Sequence, residues 1–233
     1  MDKLSFLESV LPDDGEYCIA AIKDGKTQHF FYDNIKAAVE RVEELNTQKK
    51  NVYFNTSALV KGSRRRTQEN AQSEKALFVD LDCGETKDYP DKASALTALR
   101  AFCVKVGMPV PTLVDSGNGV HAYWPFTESV SKELWQSTAT QLKALAAREQ
   151  FTIDPAVTAD SARLMRVPGS FNVKTEDPLP CKVIKVGSPK EHDFYVKLFE
   201  DLGIKPEIPR EHKGVNRHVK SSKATMALAG NAQ

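Results

Sequence analysis

The 233-residue chain has no long apolar run, no paired cysteines and no excess charge of one sign, and each absence excludes a class of protein. No stretch approaches the roughly eighteen consecutive apolar residues of a membrane span. The start, MDKLSFLESVLPDDGE, has no extended apolar signal core, so a soluble, cytosolic protein without a membrane partner is expected. Cys18, Cys83, Cys103 and Cys181 are scattered without a C-x-x-C pair, which argues for free intracellular thiols and against a structural zinc site or a disulfide framework. Lys and Arg together number 32 against 31 Asp and Glu, so any nucleic-acid partner must be held by a local basic surface. No internal repeat is present.

What is there is an ordinary globular composition, 41% hydrophobic and 27% charged, long enough for one large or two small domains. YCIAAI and QHFFY flank the turn KDGKT and predict a hairpin. Asp33 or Asn34 then caps a helix carrying Ile35, Val39, Val42 and Leu45 at helical spacing, and NVYFNTSALV returns to strand. The polar stretch from Lys61 to Lys75 reads as a long loop before the strand ALFVDLD. A helix ending at Gly107, two short strands around Gly-Asn-Gly, a helix over 131–150, the strand CKVIKV and a helix closing at Gly203 complete an α+β pattern. From Ile208 onward apolar periodicity disappears, predicting a domain over 1–207, in subdomains of about 1–75 and 76–207, and a flexible basic tail or linker over 208–233.

Three stretches concentrate groups that a plain core does not need. In ALFVDLDCG, Asp80 and Asp82 sit at positions i and i+2 of a strand and point to the same face, where like charges repel unless a cation or proton lies between them. A surface turn with one Asp as a helix cap is the plain alternative. In SGNGVHAYWPF, strand alternation sends His121 and Tyr123 to one face and Val120, Ala122 and Trp124 to the other, beside a glycine turn that a ligand can approach closely. A structural histidine next to a hairpin is the alternative there. In FTIDPAVTADSARLMRVPGSFNVK, Asp154 ends an apolar run, and Arg163, Arg166 and Lys174 follow, a combination suited to a divalent metal plus a triphosphate; a solvated basic loop is the alternative. Two-metal phosphoryl chemistry needs carboxylates bridging ions about 4 Å apart, which Asp80, Asp82 and Asp154 supply if their strands are neighbours.

The order D-h-D, small-residue turn with His, h-D, then R-h-x-R-x-P-G-[ST]-x-N-x-K resembles the archaeo-eukaryotic primase superfamily, specifically the primase-polymerases of phages and plasmids. The motifs stand at Val79 to Asp82, Gly119 to His121, and Ile153 with Asp154, and the resemblance covers roughly Asn51 to Lys174. It implies an archaeo-eukaryotic primase-like core with mixed or antiparallel sheets, flanking helices and an RRM-like palm. It further implies that Asp80, Asp82 and Asp154 hold Mg²⁺ or Mn²⁺ in a two-metal site and that His121 contacts the incoming nucleotide's phosphates. Ser116, Gly119, Arg163, Arg166 and Lys174 would bind nucleotide; Arg64, Arg65 and Arg66, in the loop before the metal strand, would reach a triphosphate or a template phosphate, a solvated loop being the alternative, and Tyr123 would stack on a base. The family pattern has serine two residues before the histidine, where this chain has Gly119. A Gly119 N–H or a displaced Ser116 hydroxyl would have to substitute.

The implied activity is template-directed nucleotidyl transfer, as a DNA primase and/or polymerase, from NTP or dNTP on single-stranded DNA, in the cytoplasm of a bacterium or phage-infected cell. A helicase fused or docked on the C-terminal side is the partner that the basic tail points to. FVDLDCGET also resembles the DxDxT motif of haloacid-dehalogenase phosphatases, but Gly84 stands where that motif needs Thr. A Toprim primase wants an upstream glutamate in a glycine-containing strand end, which Glu69 does not provide, and the five histidines include no H-x-H pair for a rolling-circle protein. A replication module that binds nucleotide or DNA without catalysis is the non-enzyme alternative.

Overall fold

The computed structural model describes residues 1–174 and 176–206. Its first element is a helix that the composition of the N-terminus did not reveal. In α1 (Lys3–Val10) the Asp2 carboxylate accepts the Ser5 N–H at 2.8 Å, and Phe6, Leu7 and Val10 are buried. The expected β, β, α, β order follows. β1 (Tyr17–Lys23) and β2 (Lys26–Tyr32) form an antiparallel hairpin whose loop residues, Asp24 and Gly25, both take positive φ, as a tight two-residue turn requires. Asn34, not Asp33, caps α2 (Ile35–Thr47) by accepting the Ala37 N–H at 2.8 Å, and α2 packs on β1 through a face that includes Ala38, Val42 and Leu45.

β3 (Asn51–Asn55) pairs antiparallel with β1, and its far side pairs with β8 (Leu164–Arg166), giving a four-stranded sheet ordered β2-β1-β3-β8. The basic segment after Asp154 is thereby stitched to the N-terminal sheet. A second sheet of five strands contains β4 (Ala58–Leu59), β5 (Ala71–Asp82), β6 (Thr112–Asp115), β7 (Gly119–Ser131) and β11 (Lys182–Lys185) in the order β11-β6-β7-β5-β4. Between these lie a short ribbon of β9 (Phe171–Asn172) and β10 (Leu179–Pro180).

Two boundaries differ from the sequence pattern. The polar loop ends at Asn70, because Ala71 to Lys75 already belong to β5, where Ser73 pairs with both Ala58 and Ser131. β7 runs for 13 residues rather than stopping at Phe126, and a register shift between Glu74 and Ala76 accommodates Pro125 opposite Ala76. In both places strand pairing outweighs local composition.

The helices close over the second sheet. α3 (Lys92–Val106) starts at the Asp91 cap and stops at Gly107, whose φ of 76° is the left-handed C-terminal geometry that glycine adopts without strain. α4 (Lys132–Arg148) places Trp135 against Phe78, ring centroids 5.6 Å apart, with the indole N–H donating to the Ala76 carbonyl at 2.8 Å. α6 (His192–Asp201) adds Tyr195 and Phe199, and Gly203 follows it at a φ of 74°. One hydrophobic cluster runs through both sheets. Phe6 of α1 joins them, packing edge-on against Phe54 of β3 at 5.9 Å and Tyr123 of β7 at 5.3 Å. The α+β expectation holds. All four cysteines are free, and among the described residues no helix is long and apolar enough to cross a membrane. The tail expected over 208–233 lies outside the described residues.

Candidate active site

β5 and β7 are antiparallel neighbours in a register that opposes Asp80 to His121 and Asp82 to Gly119. Directly opposed residues share a face, so the first carboxylate and the histidine meet at the C-terminal end of a buried strand. His121 is 4% exposed. Its Nε2 stands 3.7 Å from Asp80 Oδ1 and its Nδ1 stands 3.3 Å from the Tyr123 hydroxyl. Their attraction favours the charged pair, yet both groups are shifted toward neutrality. Burial raises the Asp80 carboxyl above the usual aspartate range, and the Asp82 and Asp154 charges push in the same direction. Burial also lowers the His121 imidazole, with Arg166 and Arg163 adding to the effect and Asp80 opposing it.

The third carboxylate arrives by a backbone contact. Asp154 donates its N–H to the Asp80 carbonyl at 3.4 Å, placing the start of α5 (Pro155–Thr158) beside the end of β5. Its carboxylate caps that short helix by accepting the Ala156 N–H at 2.8 Å, with Pro155 at the first helical position, and Arg163 Nη2 lies 4.0 Å from its other oxygen. Asp82, on the same face as Asp80 but at the exposed strand end, lies 3.1 Å from Lys87 Nζ. Among the described residues no three metal-ligating side chains are gathered around one point. Carboxylate oxygens are the hard donors that suit a divalent cation: Asp80 and Asp82 end one strand, the Asp154 backbone is bonded to that of Asp80, and burial, with the Asp82 and Asp154 charges adding to it, raises the Asp80 carboxyl. The Asp82 and Asp154 side chains are 53% and 41% exposed.

Gly119 is where it is for a steric reason. A Cβ there would lie 2.6 Å from the Leu81 carbonyl oxygen, so no serine fits at this point without moving β5. Ser116 is 6% exposed, donates its N–H to the Gly119 carbonyl at 3.0 Å, and through its own carbonyl accepts from Asn172 Nδ2 at 3.2 Å.

The cations expected around the carboxylates fall into three groups. The Arg163 and Arg166 charges both act on the His121 imidazole; Arg163 lies beside Asp154, and the Arg166 guanidinium is bonded to Asn51 and Asn172. Lys174 is exposed at the rim, its N–H donated to Asn172 Oδ1 at 3.2 Å. Arg66 spans from His29 Nε2, at 3.3 Å, to the Ala162 carbonyl, and so lies next to Arg163, while Arg64 and Arg65 stay exposed and Glu16 accepts the Arg64 N–H at 2.8 Å. One expectation is corrected. Tyr123 is fully buried among Phe6, Phe54 and Phe78, so it offers no ring face to a base and instead supports His121.

Asn51, Tyr53, Asn172 and Lys87 went unmarked in the sequence. Asn172 stood inside the pattern R-x-P-G-[ST]-x-N-x-K, which was the available signal. Asn51 and Tyr53 gave none, since only the β3–β8 pairing brings them to Arg166.

No protein-family model matches the chain. A replication protein of Clostridium perfringens is 29% identical over 203 residues, covering 82% of this chain and 43% of that protein, so the chain spans less than half the length of the curated relative it matches. Among solved structures, the AEP domain of the cyanophage S-2L primase-polymerase superposes with a TM-score of 0.60 at 20% identity, over 84% of this chain and 94% of that one. The catalytic domain of primase RepB', solved in complex with initiator DNA, superposes with a TM-score of 0.55 at 15% identity, over 86% of this chain and 92% of that one. The chain has the fold of archaeo-eukaryotic primase-polymerase domains.

Proposed function

We propose that this domain is a template-directed nucleotidyltransferase, a DNA primase and/or polymerase that adds nucleotides to a strand paired with single-stranded DNA. The observation that carries the reading is the opposition of Asp80 and His121 across β5 and β7 with Asp154 bonded to the Asp80 backbone. Asp80, Asp82 and Asp154 would hold Mg²⁺ or Mn²⁺. Such ions, when bound, supply Lewis acidity at the attacking 3′ hydroxyl and at the departing pyrophosphate.

The chain's own residues have distinct tasks. His121, held neutral by burial, donates one N–H to a phosphate oxygen without adding a charge that would repel cations. Arg163 and Arg166 supply charge-assisted hydrogen bonds to the triphosphate, and Lys174 meets it at the rim. Arg64 and Arg65, exposed on the loop before β5, suit template phosphates, a contact that weakens steeply with salt. Likeness to a DNA-bound primase domain and to a replication protein supports a DNA template.

The test is to incubate the domain with single-stranded DNA, labelled NTP or dNTP and Mg²⁺ or Mn²⁺, beside the Asp80→Ala/Asp82→Ala variant. Metal-dependent extension by the wild type alone is expected. Absence of product with and without a supplied primer overturns the catalytic reading, and nucleotide binding retained in those samples would identify a non-catalytic replication module.

A further inference from the structure

Arg166 carries a buried charge with no opposite charge beside it. The residue is 4% exposed, and among the described residues no carboxylate forms an ion pair with it. Guanidinium stays protonated at any physiological pH, so it cannot escape burial by losing its proton. Its partners are two neutral amides and an aromatic ring. Nη1 donates to Asn51 Oδ1 at 2.8 Å, Nη2 donates to Asn172 Oδ1 at 2.9 Å, and Cζ lies 4.8 Å from the centre of the Tyr53 ring.

The amides are themselves fixed. Asn51 Oδ1 also accepts the Val173 N–H at 3.0 Å, and Asn172 Oδ1 also accepts the Lys174 N–H at 3.2 Å. Asn172 Nδ2 donates to the Ser116 carbonyl at 3.2 Å, and the Asn172 Cβ is packed so closely against Gly117 that a Cβ there would lie 2.8 Å away. Each Asn side chain therefore has its oxygen committed to two donors, which fixes the amide plane and with it the guanidinium. A carboxylate in either place would give the same acceptor geometry and would cancel the charge. The chain uses the acceptor that does not.

We propose that Asn51 and Asn172 are positioning residues that hold Arg166 as a charge-retaining clamp for the triphosphate of the incoming nucleotide. Neutral acceptors orient the guanidinium while leaving its positive charge for an anion that arrives only with substrate. The placement fits this: Asn172 ties the clamp to the turn that precedes His121, and Tyr53 ties it to the N-terminal sheet. The clamp rests on the nucleotidyltransferase reading for the identity of its anion.

Asn51→Asp is the discriminating variant, because Asn51 acts through its oxygen in both bonds. A carboxylate keeps both and adds an internal ion pair, so the thermal midpoint is expected to hold or rise. The affinity for inorganic tripolyphosphate in EDTA is expected to fall at least ten-fold, and in the primed extension assay KM for the nucleotide is expected to rise by a similar factor with kcat nearly unchanged. Asn172→Asp should show the same KM effect with a lower midpoint, having lost its bond to Ser116. An Asn51→Asp protein with wild-type stability and unchanged tripolyphosphate affinity and KM overturns the clamp and leaves Asn51 a purely structural residue. Wild-type protein that binds neither tripolyphosphate nor nucleotide overturns it as well. If the wild type binds tripolyphosphate, Asn51→Asp weakens that binding, and no extension product forms, the clamp stands and the polymerase reading falls.

Discussion

Asp80 and His121 are directly opposed on neighbouring strands, with Nε2 of the imidazole 3.7 Å from Oδ1 of the carboxylate, and burial nevertheless pushes both toward their neutral forms. A pair built for stability would have its carboxyl lowered and its histidine raised. This one is held in an environment that disfavours the carboxylate, as expected for a group whose charge is to be compensated by something bound.

Replacing that carboxyl separates activity from folding. Asp80→Asn removes a carboxyl that burial penalises and keeps its shape, so the thermal midpoint at pH 7 should hold or rise. Nucleotide incorporation should fall by on the order of 100-fold or more, the scale seen when a preorganised electrostatic group is removed. A midpoint several degrees lower would assign the lost activity to unfolding and remove Asp80 from the site.

Lys87 would compete with a bound cation for Asp82. The two form an ion pair at 3.1 Å on a surface where both are about half exposed. Such pairs are weak, so Lys87→Ala should lower the Mg²⁺ or Mn²⁺ concentration for half-maximal activity only about two- to five-fold. A metal titration decides the point. A higher metal requirement in the variant would show that Lys87 assists the site instead of competing with a cation.

Glu74 provides a pH signature unrelated to catalysis. Its side chain is fully buried, neither oxygen has a hydrogen-bond partner among the described residues, and burial, helped by the Asp160 charge, raises its carboxyl well above the usual range. A raised folded-state value means that the folded protein holds the proton more tightly than the unfolded chain does. Its contribution to stability is complete below the ordinary glutamate range and is lost as pH rises toward the raised value. Glu74→Gln cannot titrate, so the stability of the variant relative to wild type should increase from pH 5 to pH 8 in urea denaturation. A difference that stays flat across that interval would mean Glu74 does not titrate upward in the folded protein.

Much of this site was legible because it depends on local periodicity. Alternation along ALFVDLD and VHAYW put Asp80 with Asp82 and His121 with Tyr123 on common faces before any pairing was known, and the pairing kept them there. Depth was not legible. Tyr123 shares a face with His121, but the eight-residue α1 delivers Phe6 onto it, and nothing local to Tyr123 encodes that cover. Long-range placement was equally hidden: Arg66 reaches Ala162, and Asn51 reaches Arg166, through pairings between segments far apart in the chain. Amide acceptors carry no charge pattern for a motif to register, so Asn51 and Asn172 emerged only from the geometry around Arg166.

The glycine two residues before His121 gives the sharpest test of how this chain departs from the serine of the resembled pattern. Gly119 opposes Asp82, and a Cβ on it would lie 2.6 Å from the carbonyl oxygen of Leu81, the residue between the two carboxylates. That obstacle is backbone in the middle of a sheet and has no rotamer to adopt. Gly119→Ala should therefore cost about 1–3 kcal/mol of stability, the range for forcing extra volume into a packed site. Gly119→Ser adds the hydroxyl of the family pattern but meets the same obstacle. Relief requires β5 to separate from β7 just where Asp80 and His121 are held in register, so activity should fall together with stability. The measurements are the urea midpoint and the rate of primed extension for both variants. A Gly119→Ser protein with wild-type stability and faster extension would show that the strand end yields readily and that the missing serine limits the native chain.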